Sequence, residues 1–237
     1  MDISVIIHTF NEEANLPYAL RSVQDWASEI LIVDMGSTDK TLEIAQSFGV
    51  RILNYPAVGY VEPARAFAVE QARFSWVFIL DADELLPKPL AKQLLEIADN
   101  DLADVVLIPR FNYMIGAPIQ GAGWGPEQDT HPRFFKKGSI SFSPKIHVVP
   151  KILDNQRVLR LPYQEGVAII HFNYLDFEQF IGKLNHYTTI HAQERQNSND
   201  APQTGRTLFK ALARWLYRYI YLKGYRDGWR VFISPVS

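Results

Sequence analysis

The chain has 237 residues, 47% of them apolar, with 24 basic and 26 acidic side chains and no cysteine. That apolar share supports a packed core and argues against disorder. The lack of cysteine excludes disulfide frameworks, thiolate catalysis and zinc–cysteine sites. No apolar run approaches the roughly 18 residues of a spanning helix, and Met1-Asp2 leads straight into a strand-like run without a basic n-region. The expectation is a chain without a signal peptide, cytoplasmic or peripheral on the inner face of the cytoplasmic membrane.

In chain order, residues 3–9, 30–34, 50–53, 75–80 and 104–108 are short runs rich in β-branched and other apolar residues. Nearly continuous apolar character marks strands covered on both faces, as in a parallel sheet. Helix-like stretches lie between them at 14–26, 39–48, 63–73 and 87–99. Pro63 and Pro87 suit first-turn positions, and Thr38 or Asp39 can cap the second helix. This alternation predicts a doubly wound α/β sheet. Residues 112–133 then turn rich in Gly and Pro (Gly116, Pro118, Gly121, Gly123, Gly125, Pro126, Pro132) and are expected to form a long binding loop. Further strands are expected within 133–150 and 157–172. Two helices follow, at 176–195 and 206–222, joined by the polar linker Asn197-Ser198-Asn199-Asp200.

In an open α/β sheet, ligands bind outside the carboxyl ends of the strands. Those ends read Thr9-Phe10-Asn11-Glu12, Asp34-Met35-Gly36-Ser37-Thr38-Asp39 and Asp81-Ala82-Asp83-Glu84. Polar and acidic groups therefore gather on one edge. Asp81 and Asp83, directly after a buried run, can share or divide one hard cation, which would neutralise a diphosphate. Helix capping ahead of Pro87 is their bland alternative. Asp34 has a bland reading as turn chemistry and a functional one as an acceptor for a base or ribose. No Gly-x-Gly-x-x-Gly or Gly-Lys-Ser/Thr loop follows the first strand, so neither a dinucleotide site nor a Walker loop is expected.

Ser4-Val-Ile-Ile-His-Thr-Phe-Asn-Glu-Glu13, Ile32-Val-Asp-Met-Gly-Ser-Thr-Asp-Lys-Thr41 and Phe78-Ile-Leu-Asp-Ala-Asp-Glu84 resemble, in order and spacing, the three signatures of family 2 glycosyltransferases. The resemblance implies a GT-A fold, with a mostly parallel sheet and a C-terminal helical appendage. It also implies a nucleotide-sugar donor, Mg²⁺ or Mn²⁺, and inversion. A looser likeness, in Gly123-Trp-Gly-Pro126, Pro132-Arg-Phe-Phe-Lys-Lys-Gly138, Ile146-His147 and His171-Phe-Asn-Tyr174, is to the branch that glucosylates lipopolysaccharide core. That likeness makes UDP-glucose the first donor candidate. The resemblance divides the chain into a nucleotide-sugar-binding half (1–110), acceptor-side loop and strands of the same domain (111–175) and a helical extension (176–237).

Carried over by residue, it places Thr9, Asn11 and Glu12 in the nucleotide pocket and Asp34 on the base. Arg65 would approach the donor, with Asp81 and Ala82 beside ribose or metal and Asp83 as principal metal ligand, Asp81 being the second. His8 departs from the commoner Pro or Ala, Ala66 from Asn, and Val148 from the Glu of the glucosyltransferase branch. Inversion needs a base for the acceptor hydroxyl; Glu127 is placed there and Asp129 is its neighbour, against the bland reading of both as solvated loop carboxylates. His131, His147 and His171 are the remaining candidates: a lone His in a strand is more often a satisfied structural group than a ligand, and reaching metal or pyrophosphate is the less common reading for His147 and His171. Trp124 is either a sugar-stacking platform or a hydrophobic plug.

Residues 206–230 carry seven basic side chains against Asp227, a segment charge of +6 that leaves −8 on the remainder. Leu208, Leu212, Trp215, Tyr219 and Leu222 form a stripe flanked by Lys210, Arg214 and Arg218. Contact with an anionic membrane is one reading of this tail. Packing on the catalytic domain or on a second subunit is the other. The partners expected are a nucleotide-sugar donor and a glycan or lipid-linked acceptor, with no nucleic acid. A nucleotidyltransferase is the competing enzyme class, although the phosphate loop such enzymes carry after their first strand is missing. A nucleotide-sugar-binding subunit without a base is the non-enzymic alternative.

Overall fold

A computed structural model describes residues 2–57, 59–144, 148–197 and 204–232. The elements are β1 (Ile3–Thr9), α1 (Leu16–Val23), β2 (Glu29–Asp34), α2 (Thr41–Ser47), β3 (Arg51–Asn54), α3 (Glu62–Gln71) and β4 (Trp76–Asp81). They continue with β5 (Glu84–Leu85), α4 (Lys88–Asp99), β6 (Val105–Met114), β7 (Ala117–Pro118), β8 (Thr130–Lys136), β9 (Ile140–Ser141) and β10 (Lys151–Ile152). Last come β11 (Val158–Arg160), β12 (Ile169–Tyr174), α5 (Phe177–Asn197), α6 (Thr204–Leu216), a π-helical turn (Tyr217–Tyr221) and a kinked 3₁₀ segment (Gly224–Phe232). His147 and the linker residues Ser198, Asn199 and Asp200 lie outside the described residues.

The strands β3, β2, β1 and β4 pair parallel in that order, with Thr9 opposite Asp34 and His8 opposite Asp81. Beyond β4 the sheet turns antiparallel through β8 and β6, and β5 pairs antiparallel with β12. Every residue of β1 is buried, because helices cover both faces. Ile3, Val5, Ile7, Trp76, Phe78 and Leu80 face α1 and α4, meeting Leu16, Leu20, Leu90 and Leu94. Ile6, Leu31, Val33, Val77 and Ile79 face α3, meeting Ala64 and Ala68. Two-sided burial is the reason these strands are apolar throughout rather than alternating. α1 buries Leu16, Ala19, Leu20 and Val23, one face at helical spacing; truncating a buried Leu of this kind costs about 2–5 kcal/mol.

Several expectations need correction. Pro87 is the N-cap residue of α4, and Pro89 occupies its first turn. Lys40 caps α2, and Asp39 contributes by accepting the Thr41 N–H at 3.0 Å. The Gly/Pro-rich segment is partly strand: β6 runs on to Met114 and turns back through β7, and β8 starts at Thr130.

The chain forms two compact units, residues 1–110 with 130–171, and residues 111–129 with 172–237. The first holds β1 to β5, β8 to β11 and α1 to α4. In the second, Met114, Ile119, Tyr174 and Phe180 make a small core. Asp227 is buried and accepts the N–H groups of Gln120 (2.7 Å) and Gly121 (3.0 Å), tying the tail to the 119–129 loop. A Cβ on Gly121 would lie 2.5 Å from the Lys223 carbonyl oxygen, so this approach requires glycine.

Candidate active site

The loops after β1 and β2 are laced together by the residues that their sequences single out. Thr9 Oγ1 donates to Asp34 Oδ1 at 3.0 Å, and Ser37 Oγ reaches the same oxygen at 2.5 Å. Asp34 Oδ2 accepts the N–H groups of Gly36 and Ser37, both at 3.0 Å. This closes an Asx turn in which Gly36 takes φ +92°. Asn11 sits in the left-handed region (φ 55°), and its Oδ1 accepts the Thr38 N–H at 2.8 Å. The Glu12 N–H donates to Thr41 Oγ1 at 2.8 Å, and Glu12 Oε2 accepts from Asn15 at 2.9 Å. Asp34 is thus buried with three bonds from its own loop and a fourth from Thr9 on β1. The turn chemistry is real, and it fixes the shape of this corner.

At the end of β4, charge is concentrated. Arg133, on β8, donates from Nη2 to Asp81 Oδ2 at 2.6 Å and to Glu84 Oε1 at 3.0 Å. Arg65, on α3, reaches Asp81 Oδ1 at 3.3 Å, and Arg110, on β6, reaches Glu84 Oε1 at 3.3 Å. Glu84 is fully buried and also accepts the Asp81 N–H at 2.9 Å. Burial would raise the Asp81 carboxyl, but the Arg133 and Arg65 charges outweigh it and hold Asp81 well below the usual carboxylate range. Both Asp81 oxygens therefore carry a guanidinium.

His8 lies beneath this network, buried, and neither ring nitrogen meets a partner at hydrogen-bonding geometry. Burial first, and the Arg65 charge second, push its pKa down to about 3, so the ring is neutral at physiological pH.

Asp83 is placed differently. The antiparallel register of β5 and β12 sets His171 opposite Glu84 and brings His171 Nε2 to 3.6 Å from Asp83 Oδ2. His171 is separated from Asp83 by 88 residues in the chain, so only this pairing joins them. Among the described residues no third His, Asp or Glu completes a ready-made metal cluster. Ala82, between the two acids, is buried. Beside the Asp81 network lies a cavity of about 220 Å³ lined by Arg65, Asp81, Arg110, His131, Arg133 and Phe142, among others. Glu84, Arg110 and Arg133 are the residues that sequence reasoning left without a role. Glu84 and Arg133 stand inside quoted motifs, but the strand pairing that joins them is not visible in the chain order.

Glu127, Asp129 and Trp124 belong to the second unit. Glu127 is exposed. Asp129 is half-buried and accepts from the fully buried Asn112 Nδ2 at 2.7 Å; the same amide donates to the Trp124 carbonyl at 2.8 Å. The Trp124 ring packs on the cluster of Met114, Ile119, Tyr174 and Phe180, the plug of the two readings.

Parallel strands ordered 3-2-1-4, an antiparallel extension beyond β4, and acidic groups on the carboxyl edge define a GT-A glycosyltransferase fold. The chain belongs to glycosyltransferase family 2, whose pattern ("Glycosyl transferase family 2") matches residues 4–150. It is 31% identical to the lipopolysaccharide core biosynthesis glycosyltransferase LpsC of Rhizobium meliloti (strain 1021), over 99% of this chain and 85% of that one. An uncharacterized glycosyltransferase of Rickettsia bellii (strain RML369-C) is 27% identical over 94% of this chain and 77% of that one. Among solved structures, S. aureus TarS 1-349 superposes with a TM-score of 0.56 at 18% identity, covering 73% of this chain and 60% of that chain. TarS 1-349 in complex with UDP gives 0.55 at 20% identity, covering 76% and 62%. The chain thus spans about 60% of these two solved structures, and that likeness concerns the fold.

Proposed function

We propose that this glycosyltransferase moves a sugar, with inversion, from a nucleoside-diphosphate donor to a glycan or lipid-linked acceptor of lipopolysaccharide core, UDP-glucose being the first donor candidate. Family membership and the named function of LpsC support the reaction class and the acceptor. The observation that carries the mechanism is the division of labour at the end of β4: Asp81 is clamped by Arg65 and Arg133, while Asp83 faces His171.

Asp83 and His171 offer one carboxylate and one imidazole, a donor pair that suits Mn²⁺, completed by diphosphate oxygens and water, better than the strictly oxygen-seeking Mg²⁺. Those two residues, rather than Asp81, would hold the ion. When bound, it would neutralise charge on the leaving diphosphate. Thr9, Asn11, Glu12 and Asp34 form the nucleotide pocket, with Asp34 shaping the loop that meets the base. Asp81 is a positioning residue that aims the Arg65 and Arg133 guanidinia. The acceptor oxygen attacks C1 from the face opposite the leaving group, and the C1–O bond to the diphosphate breaks with its electron pair. Glu127, with Asp129 as its alternative, takes the acceptor hydroxyl proton.

The test combines turnover and binding. With a panel of UDP, GDP, CDP and dTDP sugars, Mn²⁺ and lipopolysaccharide core acceptor, nucleoside diphosphate release is expected for one donor. Asp83→Ala and His171→Ala should each abolish the Mn²⁺-dependent part of donor binding by calorimetry, with far-UV circular dichroism unchanged. Normal Mn²⁺ dependence in both variants would overturn the metal assignment. Donor binding without release for any sugar and acceptor would overturn the transferase reading.

A further inference from the structure

The C-terminal tail carries a second surface that the transfer reaction does not use. Of the stripe expected from the sequence, Trp215, Tyr219 and Leu222 are half-buried, with Trp215 and Tyr219 stacked at 5.1 Å, whereas Leu212 is exposed and the side chain of Leu208 lies outside the described residues. The exposed row lies further round the helix. Phe209, Leu212, Leu216 and Ile220, at i, i+3, i+7 and i+11, are between 42 and 72% exposed. Tyr217 and Tyr221, stacked at 5.0 Å, extend it, and both are exposed. A row of large apolar side chains facing water marks an interaction surface.

The exposed charges on the segment itself have one sign. Residues 204–226 contain no acid, and Asp227 is buried on the Gln120 and Gly121 N–H groups. Arg218 and Arg230 are spent internally, on the carbonyls of Ala122 (2.8 Å) and of Met114 and Ile115 (3.1 and 3.0 Å). Lys210, Arg214, Lys223 and Arg226 are exposed. An apolar row with tyrosines along it, on a segment whose own exposed charges are all cations, fits an anionic lipid surface, where rings sit at headgroup depth and cations meet phosphates. A symmetric dimer through the same row would set Lys210, Arg214, Lys223 and Arg226 of one copy near those of the other, which like-charge repulsion disfavours. Among the described residues no helix is long and apolar enough to cross a membrane, so seating on the surface is the geometry available.

We propose that residues 209–226 dock on the face of an anionic bilayer, with Phe209, Leu212, Leu216 and Ile220 at the acyl boundary and the four exposed cations on headgroups. The full chain is mixed with phosphatidylcholine vesicles, with and without one-third phosphatidylglycerol, and floated at low salt and at about 0.5 M, where screening shortens to a few ångströms. Flotation is expected only with phosphatidylglycerol and mainly at low salt. Each cation near such a surface is worth roughly fivefold in partitioning, so the Lys210→Gln, Arg214→Gln, Lys223→Gln, Arg226→Gln variant should lose roughly several hundredfold. Phe209→Ser with Ile220→Ser should also stop flotation, while far-UV circular dichroism and nucleotide binding stay unchanged. Absence of wild-type flotation at low salt, or equal flotation of the four-Gln variant, overturns the proposal. So does a dimer by light scattering that the two Ser substitutions dissociate, because that outcome gives the row to a second copy.

Discussion

Replacing His8 by Leu isolates the energetic cost of a buried imidazole with incomplete hydrogen bonding. The ring's ordinary value of 6.5 is pushed down to about 3, first by burial and then by the neighbouring Arg65 charge. Because the folded-state value is the lower one, the unfolded chain takes up the proton first. The stability tied to His8 is therefore intact above pH 6.5 and falls as the pH drops from there toward 3, by about 1.4 kcal/mol per pH unit. At pH 5 the loss is about 2 kcal/mol. Asp81 shifts in the same direction, but its contribution is lost only once the pH falls below about 4, which leaves the window between 6.5 and 5 to His8. His8→Leu should be more stable than wild type at pH 7.5, since at least one buried ring nitrogen lacks a partner, at a cost of about 1–3 kcal/mol. The advantage should grow by about 2 kcal/mol at pH 5. Urea denaturation of both proteins at pH 7.5, 6.5 and 5, followed by tryptophan fluorescence, measures the difference. A stability gap that stays constant over that range would refute the reasoning, because the imidazole would then titrate alike in both states.

Asp34→Ala removes the acceptor of four hydrogen bonds in the nucleotide corner and is expected to weaken UDP binding by roughly 1.5–3 kcal/mol, with and without metal; unchanged affinity by calorimetry would remove Asp34 from the pocket. Glu127→Gln is expected to lower kcat by about 10²–10⁴ with donor affinity unchanged, the signature of a general base. If Asp129→Asn shows that pattern instead, the base is Asp129, and full activity in both variants would return the loop carboxylates to solvent.

The parallel half of the fold was legible because its determinants are local. β1 is apolar at every position as a strand covered on both faces must be, and the next three strands fall within a residue or two of the runs that announce them. The turn residues Gly36 and Asp34 likewise declare themselves by type and spacing. What the chain order hides is pairing over long separations. By residue type and position alone Asp81 and Asp83 read alike, two acids two residues apart at a strand end, and only the family resemblance ranks Asp83 first. They differ because β8 returns antiparallel beside β4 and sets Arg133 on Asp81, while the β5–β12 register brings His171 to Asp83. The tail illustrates the same limit at shorter range. Periodicity marked an amphipathic helix correctly, yet two apolar rows one residue apart satisfy that period about equally well. Only the packing of Trp215 and Tyr219 decides which row is covered and which faces out. A charge or an apolar row can thus be read from sequence as a capacity, and its role is set by whichever distant element the topology lays against it. For this reason, the discriminating experiments are those that separate Asp83 from Asp81 and Phe209 from Trp215.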